Sequence, residues 1–180
     1  MQLAVFGGSF DPIHIAHEAI VNKALKTLEI DKIIVVPTYL NPFKSSFHLE
    51  PKTRFNLLKK VFENNSQVNI CDYEINQNRP VYSIETIKYL KNLYNPSKIY
   101  IIIGADNVES LDKWSNIDEL KSLAQFVVAK RAGFESEKLK DFKTLDLDID
   151  ISSTKLRDKI DISYIPDQIK DEVLQLHKTN

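Results

Sequence analysis

Residues 99–103, Ile-Tyr-Ile-Ile-Ile, are the most strongly apolar run of the chain and constrain its fold more than any other stretch. A strand that is apolar at successive positions, rather than at alternate ones, has to be covered on both faces, and that is the habit of parallel sheets flanked by helices. Similar runs occupy residues 3–6, 32–36 and 126–129. Between the first two, Ile20, Ala24, Leu25 and Leu28 recur at helical spacing, so strand, helix and strand follow in the order of a crossover unit. Residues 68–73 read as a further strand, and Leu145, Leu147, Ile149 and Ile151 alternate with aspartates as in a half-buried edge strand. Pro51 opens a helix predicted to turn Phe55, Leu58, Val61 and Phe62 inward and Arg54 to another face. A second helix after Tyr82 has a predicted stripe of Ile84, Ile87, Leu90, the Lys91 stem and Tyr94, and the polar stretch 130–143, with Gly133, reads as a surface excursion. The expected fold is α/β: a doubly wound, Rossmann-like parallel sheet of about five strands with helices on both faces. Residues 1–180 are expected to form a single domain, with no repeat or linker to divide them.

In such a sheet the turn from a strand into a helix is where an anion binds, because free N–H groups at the helix start point toward it. Residues 7–17 read Gly-Gly-Ser-Phe-Asp-Pro-Ile-His-Ile-Ala-His and occupy that place after the first apolar run. Gly7 and Gly8 are expected to take backbone angles that a Cβ forbids and to let a ligand approach closely. Asp11-Pro12 is expected to start the helix, since Pro fits its first turn. His14 and His17, three residues apart, then share one helix face. With Asp11 they also have the residue types of a metal site, and one ring could simply pack while the other meets solvent; the glycine turn favours phosphate contacts. The turn is neither a G-x-G-x-x-G fingerprint nor a P-loop, so a different nucleotide-binding design is required.

These residues resemble the G-x-F-D-P-x-H-x-G-H signature of the HxGH nucleotidyltransferase superfamily, and in detail that of the nicotinate-nucleotide adenylyltransferase family, with Ala16 where the family has glycine. Three further stretches are similar to family motifs: Tyr82-Ser83-Ile84-Glu85-Thr86 to Y-S/T-x-x-T, Gly104 through Asp106 and Leu111 to Trp114 to G-x-D-x-x-x-x-L-x-x-W, and residues 151–157 to I-S-S-T-x-I/L-R. Asn41-Pro42-Phe43-Lys44 stands where the family has P-P-H-K, with Phe43 replacing the histidine. The resemblance implies transfer of AMP from ATP to nicotinate mononucleotide, forming deamido-NAD and pyrophosphate in NAD biosynthesis. It implies an ATP site at Gly7, Gly8, Ser9, Phe10, His14, His17, Ser153, Thr154 and Arg157. It implies a mononucleotide site at Lys44, Ser83, Thr86, Gly104, Asp106 and Trp114, with His14, His17 and Lys44 catalytic. Mg²⁺ is expected to arrive with ATP, with no resident metal.

Each of these residues also has a plainer reading. Ser83, Glu85 and Thr86 resemble a helix cap, although the same turn suits a carboxylate. Trp114 fits core packing or a pyridine pocket. Residues 152–157 fit a serine cap with a surface arginine, or hydroxyls and a guanidinium fork around phosphate. Related adenylyltransferases, a preference for nicotinamide mononucleotide, and a module that binds ATP without turnover remain open alternatives at this stage.

Composition narrows the classes. The hydrophobic share of 43% and charged share of 27% are those of a globular chain, and a net charge of −1 argues against nucleic acid as a partner. The single cysteine, Cys71, excludes an internal disulfide and a four-cysteine zinc site. No window has the length of a membrane span and no secretory signal opens the chain, so no membrane association and a cytoplasmic location are expected. The sequence leaves the oligomeric state open.

Overall fold

The computed structural model describes residues 1–131 and 136–179. Among them, six strands build one wholly parallel sheet: β1 (Gln2–Gly8), β2 (Lys32–Pro37), β3 (Val68–Ile70), β4 (Lys98–Gly104), β5 (Gln125–Arg131) and β6 (Lys143–Leu147). Their order is β3-β2-β1-β4-β5-β6. The chain starts at the centre, walks outward to β3, then crosses back beside β1 and walks the other way. The strand order therefore reverses between β1 and β4, and in such sheets the ligand crevice opens there, beyond the strands' carboxyl ends.

The apolar runs are buried because both faces are covered. On one face Ala4, Phe6, Ile33, Val35, Tyr100 and Ile102 pack with residues of α1 (Ile15–Thr27), α2 (Pro51–Phe62), α6 (Ser153–Asp158) and α7 (Lys170–Thr179). On the other, Leu3, Val5, Ile34, Val36, Ile101 and Ile103 pack with α4 (Ser83–Tyr94) and α5 (Ile117–Leu123). The pairing register, with Phe6 opposite Val35 on one side and Ile102 on the other, sends like-facing side chains into the same layer. Among the described residues no helix is long and apolar enough to cross a membrane.

Several local expectations are corrected. The expected edge strand pairs with β5 and brings the sheet to six strands, but it is shorter than its alternation suggests: Leu145 and Leu147 are buried in it, and Asp148 and Asp150 fall beyond its end. The third strand stops at Ile70, and Tyr73 opens the short helix α3 (Tyr73–Asn76). Helix α2 turns Arg54 and Leu57 inward and leaves Phe55 half-buried, and Lys91 of α4 is exposed. Helix α1 begins at Ile15 with His14 as its N-cap, three residues after the predicted start at Asp11-Pro12. In the polar stretch 130–143, residues Glu137–Asp141 form a 3-10 turn, and Gly133 lies outside the described residues.

Candidate functional site

A crevice of about 560 Å³ opens at the carboxyl ends of the central strands. The end of β1 and the stretch into α1 contribute Gly7, Gly8, Ser9, Phe10, His14 and His17 to its wall, and the loop after β2 contributes Lys44. The start of α4 contributes Ser83 and Thr86, the end of β4 and the stretch after it contribute Gly104, Asp106 and Trp114, and the start of α6 contributes Ser153 and Thr154. Of the residues assigned to a site from sequence, Arg157 alone is not on this wall.

The loop after β1 differs in detail from its sequence reading. Gly7 and Gly8 are the last residues of the strand, and the left-handed conformation falls on Phe10, with φ 47°. Glycine suits position 8 for another reason: a Cβ there would lie 3.1 Å from the Phe10 ring and press on it. A bulky side chain at positive φ is strained and persists only where its surroundings hold it. Here the Phe10 ring is 2% exposed and meets Phe6 edge-on at 5.3 Å and His17 at 4.9 Å. It is a buttress behind the histidine.

His14 and His17 stack with ring centroids 3.6 Å apart, and the His14 backbone N–H donates to His17 Nδ1 at 3.2 Å. Nδ1 is therefore an acceptor, which leaves the proton of the neutral His17 ring on Nε2 as a donor. Asp11 is buried, and its carboxylate accepts the N–H groups of His48 at 2.7 Å and Leu49 at 2.8 Å. It ties the loop after β2 to the loop after β1. Among the described residues no three His, Cys, Asp or Glu gather as a metal ion would require.

Arg54 completes this tie and was not assigned to the site from sequence. At 1% exposure it donates to the carbonyls of Leu49 (2.9 Å), Ser9 (2.6 Å), Thr38 (2.8 Å) and Tyr39 (2.8 Å), with Asp11 nearby as counter-charge. A guanidinium has the donor count to satisfy four buried carbonyls at once. Its spacing to Leu57, Leu58 and Val61 is the signal that places it on the buried face.

Lys44 stands on the wall with its ammonium pKa held below the ordinary lysine range, by desolvation first and then by the Arg157 charge, Asp11 opposing. Arg157 itself donates to the Asp11 carbonyl at 2.7 Å and to Thr154 Oγ1 at 3.0 Å. The Ser153 hydroxyl donates to the Pro12 carbonyl at 3.0 Å, so the start of α6 is stitched to the loop after β1. Ser152 is the helix cap, accepting the Lys155 N–H at 3.3 Å.

At the start of α4 the N-cap is Tyr82, not Ser83. Its N–H donates to the Glu85 carboxylate at 3.1 Å, and Arg79 pairs with that carboxylate at 2.6 Å. Thr86 is buried and donates to Glu74 Oε1 at 2.6 Å. Glu74, on α3, lines the crevice at 5% exposure, and nothing in the sequence had marked it. Its other oxygen is buried with no partner among the described residues, and desolvation pushes its carboxyl up to about 7 although the Thr86 hydroxyl pulls the other way. Trp114 both packs and lines: its ring is edge-on to Phe126 at 6.2 Å, and its buried Nε1 has no partner. Asp106 is exposed, and its Oδ1 lies 2.5 Å from where a Cβ on residue 104 would sit, so glycine there makes room for the carboxylate.

Comparison with known proteins agrees with this arrangement. The cytidylyltransferase-like family model matches residues 5–159. A probable nicotinate-nucleotide adenylyltransferase of Aliarcobacter butzleri is 65% identical over 178 residues, which cover 99% of this chain and 98% of that one. One of a Nitratiruptor species is 46% identical and covered over its whole length, against 99% of this chain. Among solved structures, Plasmodium falciparum nicotinic acid mononucleotide adenylyltransferase complexed with NaAD superposes with a TM-score of 0.80 at 25% identity, covering 99% of this chain and 98% of that one.

Proposed function

The chain belongs to the nicotinate-nucleotide adenylyltransferases of the cytidylyltransferase-like family, and we propose the following division of its crevice between two substrates. The reaction is adenylyl transfer from ATP to nicotinate mononucleotide, giving deamido-NAD and pyrophosphate. The 5′-phosphate of the mononucleotide attacks the α-phosphorus of ATP in line, so no protein nucleophile is needed. Catalysis then consists of positioning and of stabilising charge as pyrophosphate leaves.

ATP lies along Gly7, Gly8, Ser9 and the buttressed Phe10. His14 and His17 hold the α-phosphate and its neighbour, with the Nε2 proton of His17 facing the oxygen on which charge develops. Thr154 and Arg157 take the departing phosphates; two of the five Arg157 N–H donors are used within the protein, and its charge reaches Lys44 across the same space. Lys44 neutralises charge from the opposite side. The pyridine end of the mononucleotide meets Ser83 and Thr86 at the start of α4, against Trp114, and Asp106 beside Gly104 accepts ribose hydroxyls. Mg²⁺ would arrive with ATP and, when bound, would supply charge neutralisation at the phosphates that His14, His17, Lys44 and Arg157 hold. Residues 1–180 act as a single domain in the cytoplasm, where ATP is available.

The observation that carries this reading is convergence: residues from five separate segments line one crevice at the reversal of strand order. Arg157→Ala tests the division. It is expected to weaken ATP binding and turnover while leaving the mononucleotide KM nearly unchanged, and Arg157→Lys to restore part of the loss, because a point charge lacks the planar fork. Equal loss of affinity for both substrates would contradict the division.

A further inference from the structure

Glu74, the buried hydrogen-bond partner of Thr86, is a group that the reaction as described does not use. The Thr86 and Glu74 oxygens that meet are 2.6 Å apart, so one O–H is consumed between them. The second Glu74 oxygen is buried in the crevice wall without a partner among the described residues. A buried acceptor or donor left unmet is costly, and a ligand that meets it gains what the free protein lacks.

Counting protons decides which ligand that is. With Glu74 ionised, the pair owns one O–H, already used, and presents a negative charge. With Glu74 protonated, the pair owns two, one of which is left to donate. A pyridine carboxylate accepts hydrogen bonds and cannot donate them, so it is matched by the protonated pair only. A carboxamide both donates and accepts, and is matched by either form. We propose that Glu74 is a specificity-determining residue for this reaction: protonated and paired with Thr86, it donates to the carboxylate of nicotinate mononucleotide, which is bound together with a proton. This rests on the reading that the start of α4 receives the pyridine end.

The surroundings favour the protonated form. From α4, Glu85 faces Glu74 and adds like charge while itself held ionised by Arg79. Just before α3, burial pushes the Cys71 thiol up, so that group adds no charge at neutral pH. The phenols of Tyr73 and Tyr89 stack alongside with centroids 4.1 Å apart, and Val36 is what β2 presents to the crevice. Lys44, Asp106 and Lys113 share the crevice wall, but Glu85 is the charge that acts on the carboxyl. Burial raises the Glu74 pKa to about 7, which puts its ionisation in the range of ordinary assay conditions.

The test is the ratio of kcat/KM for nicotinate mononucleotide to that for nicotinamide mononucleotide, measured from pH 6 to 8.5. Ionisations of the shared phosphate and of the ATP side cancel in it. In the wild type the ratio is expected to fall roughly fifteenfold from pH 7 to 8.5, as the protonated fraction of a group titrating near 7 falls. Glu74→Gln keeps an N–H donor at every pH, so its ratio should stay flat. A flat wild-type ratio, or an equally steep fall in Glu74→Gln, would overturn the proposal. If Thr86→Val still lowers the ratio in that event, the placement of the pyridine end survives. Ratios untouched by both substitutions would remove that placement as well.

Discussion

At His17 a single hydrogen bond determines which ring nitrogen is useful. The His14 N–H occupies Nδ1, and the Phe10 ring packs edge-on against the imidazole, so on the proposed reading Nε2 is the nitrogen that serves the phosphate. His17→Ala is expected to lower kcat by about 10²–10³, the scale of losing one preorganised donor, with folding retained. Unchanged turnover in the folded variant would refute the role. Glu74 makes a prediction about stability as well. Its carboxyl rises from 4.5 to about 7 on folding, so the native state binds more protons than the unfolded chain between those values. Stability on this account is fully present below pH 4.5 and is lost as pH rises through 7, by on the order of 3 kcal/mol. Glutamine does not ionise. Urea unfolding should therefore show Glu74→Gln gaining on the wild type between pH 4.5 and pH 8, and a difference that does not change with pH would show an ordinary carboxyl at this position.

Among the elements, the loop after β2 is the part of the site most dependent on a distant anchor. Arg54 of α2 and Asp11 hold it through five hydrogen bonds, to the carbonyls of Thr38, Tyr39 and Leu49 and from the N–H groups of His48 and Leu49, and Arg54→Met would strand those three carbonyls together with that of Ser9. Each buried carbonyl left without its donor costs about 1–3 kcal/mol. A loss of that size in urea unfolding is expected, and a loss below about 1 kcal/mol would mean the loop holds itself. This anchor shows where sequence reading succeeds and where it stops. Strands such as residues 99–103 are legible because burial on both faces demands an unbroken apolar run. Helix starts and strand ends are less so: β3 stops at Ile70 because Tyr73 turns into α3, which no local pattern announces. Arg54 was expected on another face than the inner one, although its spacing to Leu58 and Val61 put it inside. The glycines after Phe6 suggested positive φ, yet the turn is made at Phe10 and glycine is favoured by the ring that results. Glu74 was invisible, because its burial depends on α3 packing beside α4 rather than on any neighbour in sequence. The residues assigned to the site through the motifs were easiest to find, and all of them but Arg157 lie on one wall.

The whole molecule turns strand order into a two-substrate site. Because β1 and β4 are adjacent while the chain between them winds through β2, β3 and four helices, the stretches proposed for ATP and for the pyridine end come from distant parts of the chain yet line one crevice. No group in the crevice has to form a covalent intermediate; the fold brings two phosphates together and supplies donors for the charge that moves. The most direct measurement of this account supplies ATP and Mg²⁺ with nicotinate mononucleotide, or with nicotinamide mononucleotide, at pH 7, and follows pyrophosphate and dinucleotide. Deamido-NAD and pyrophosphate should form in equal amounts, with kcat/KM at least tenfold higher for nicotinate mononucleotide, since donors aimed at a carboxylate discriminate by about 1–3 kcal/mol. ATP bound without pyrophosphate release, or equal use of the two mononucleotides, would contradict it.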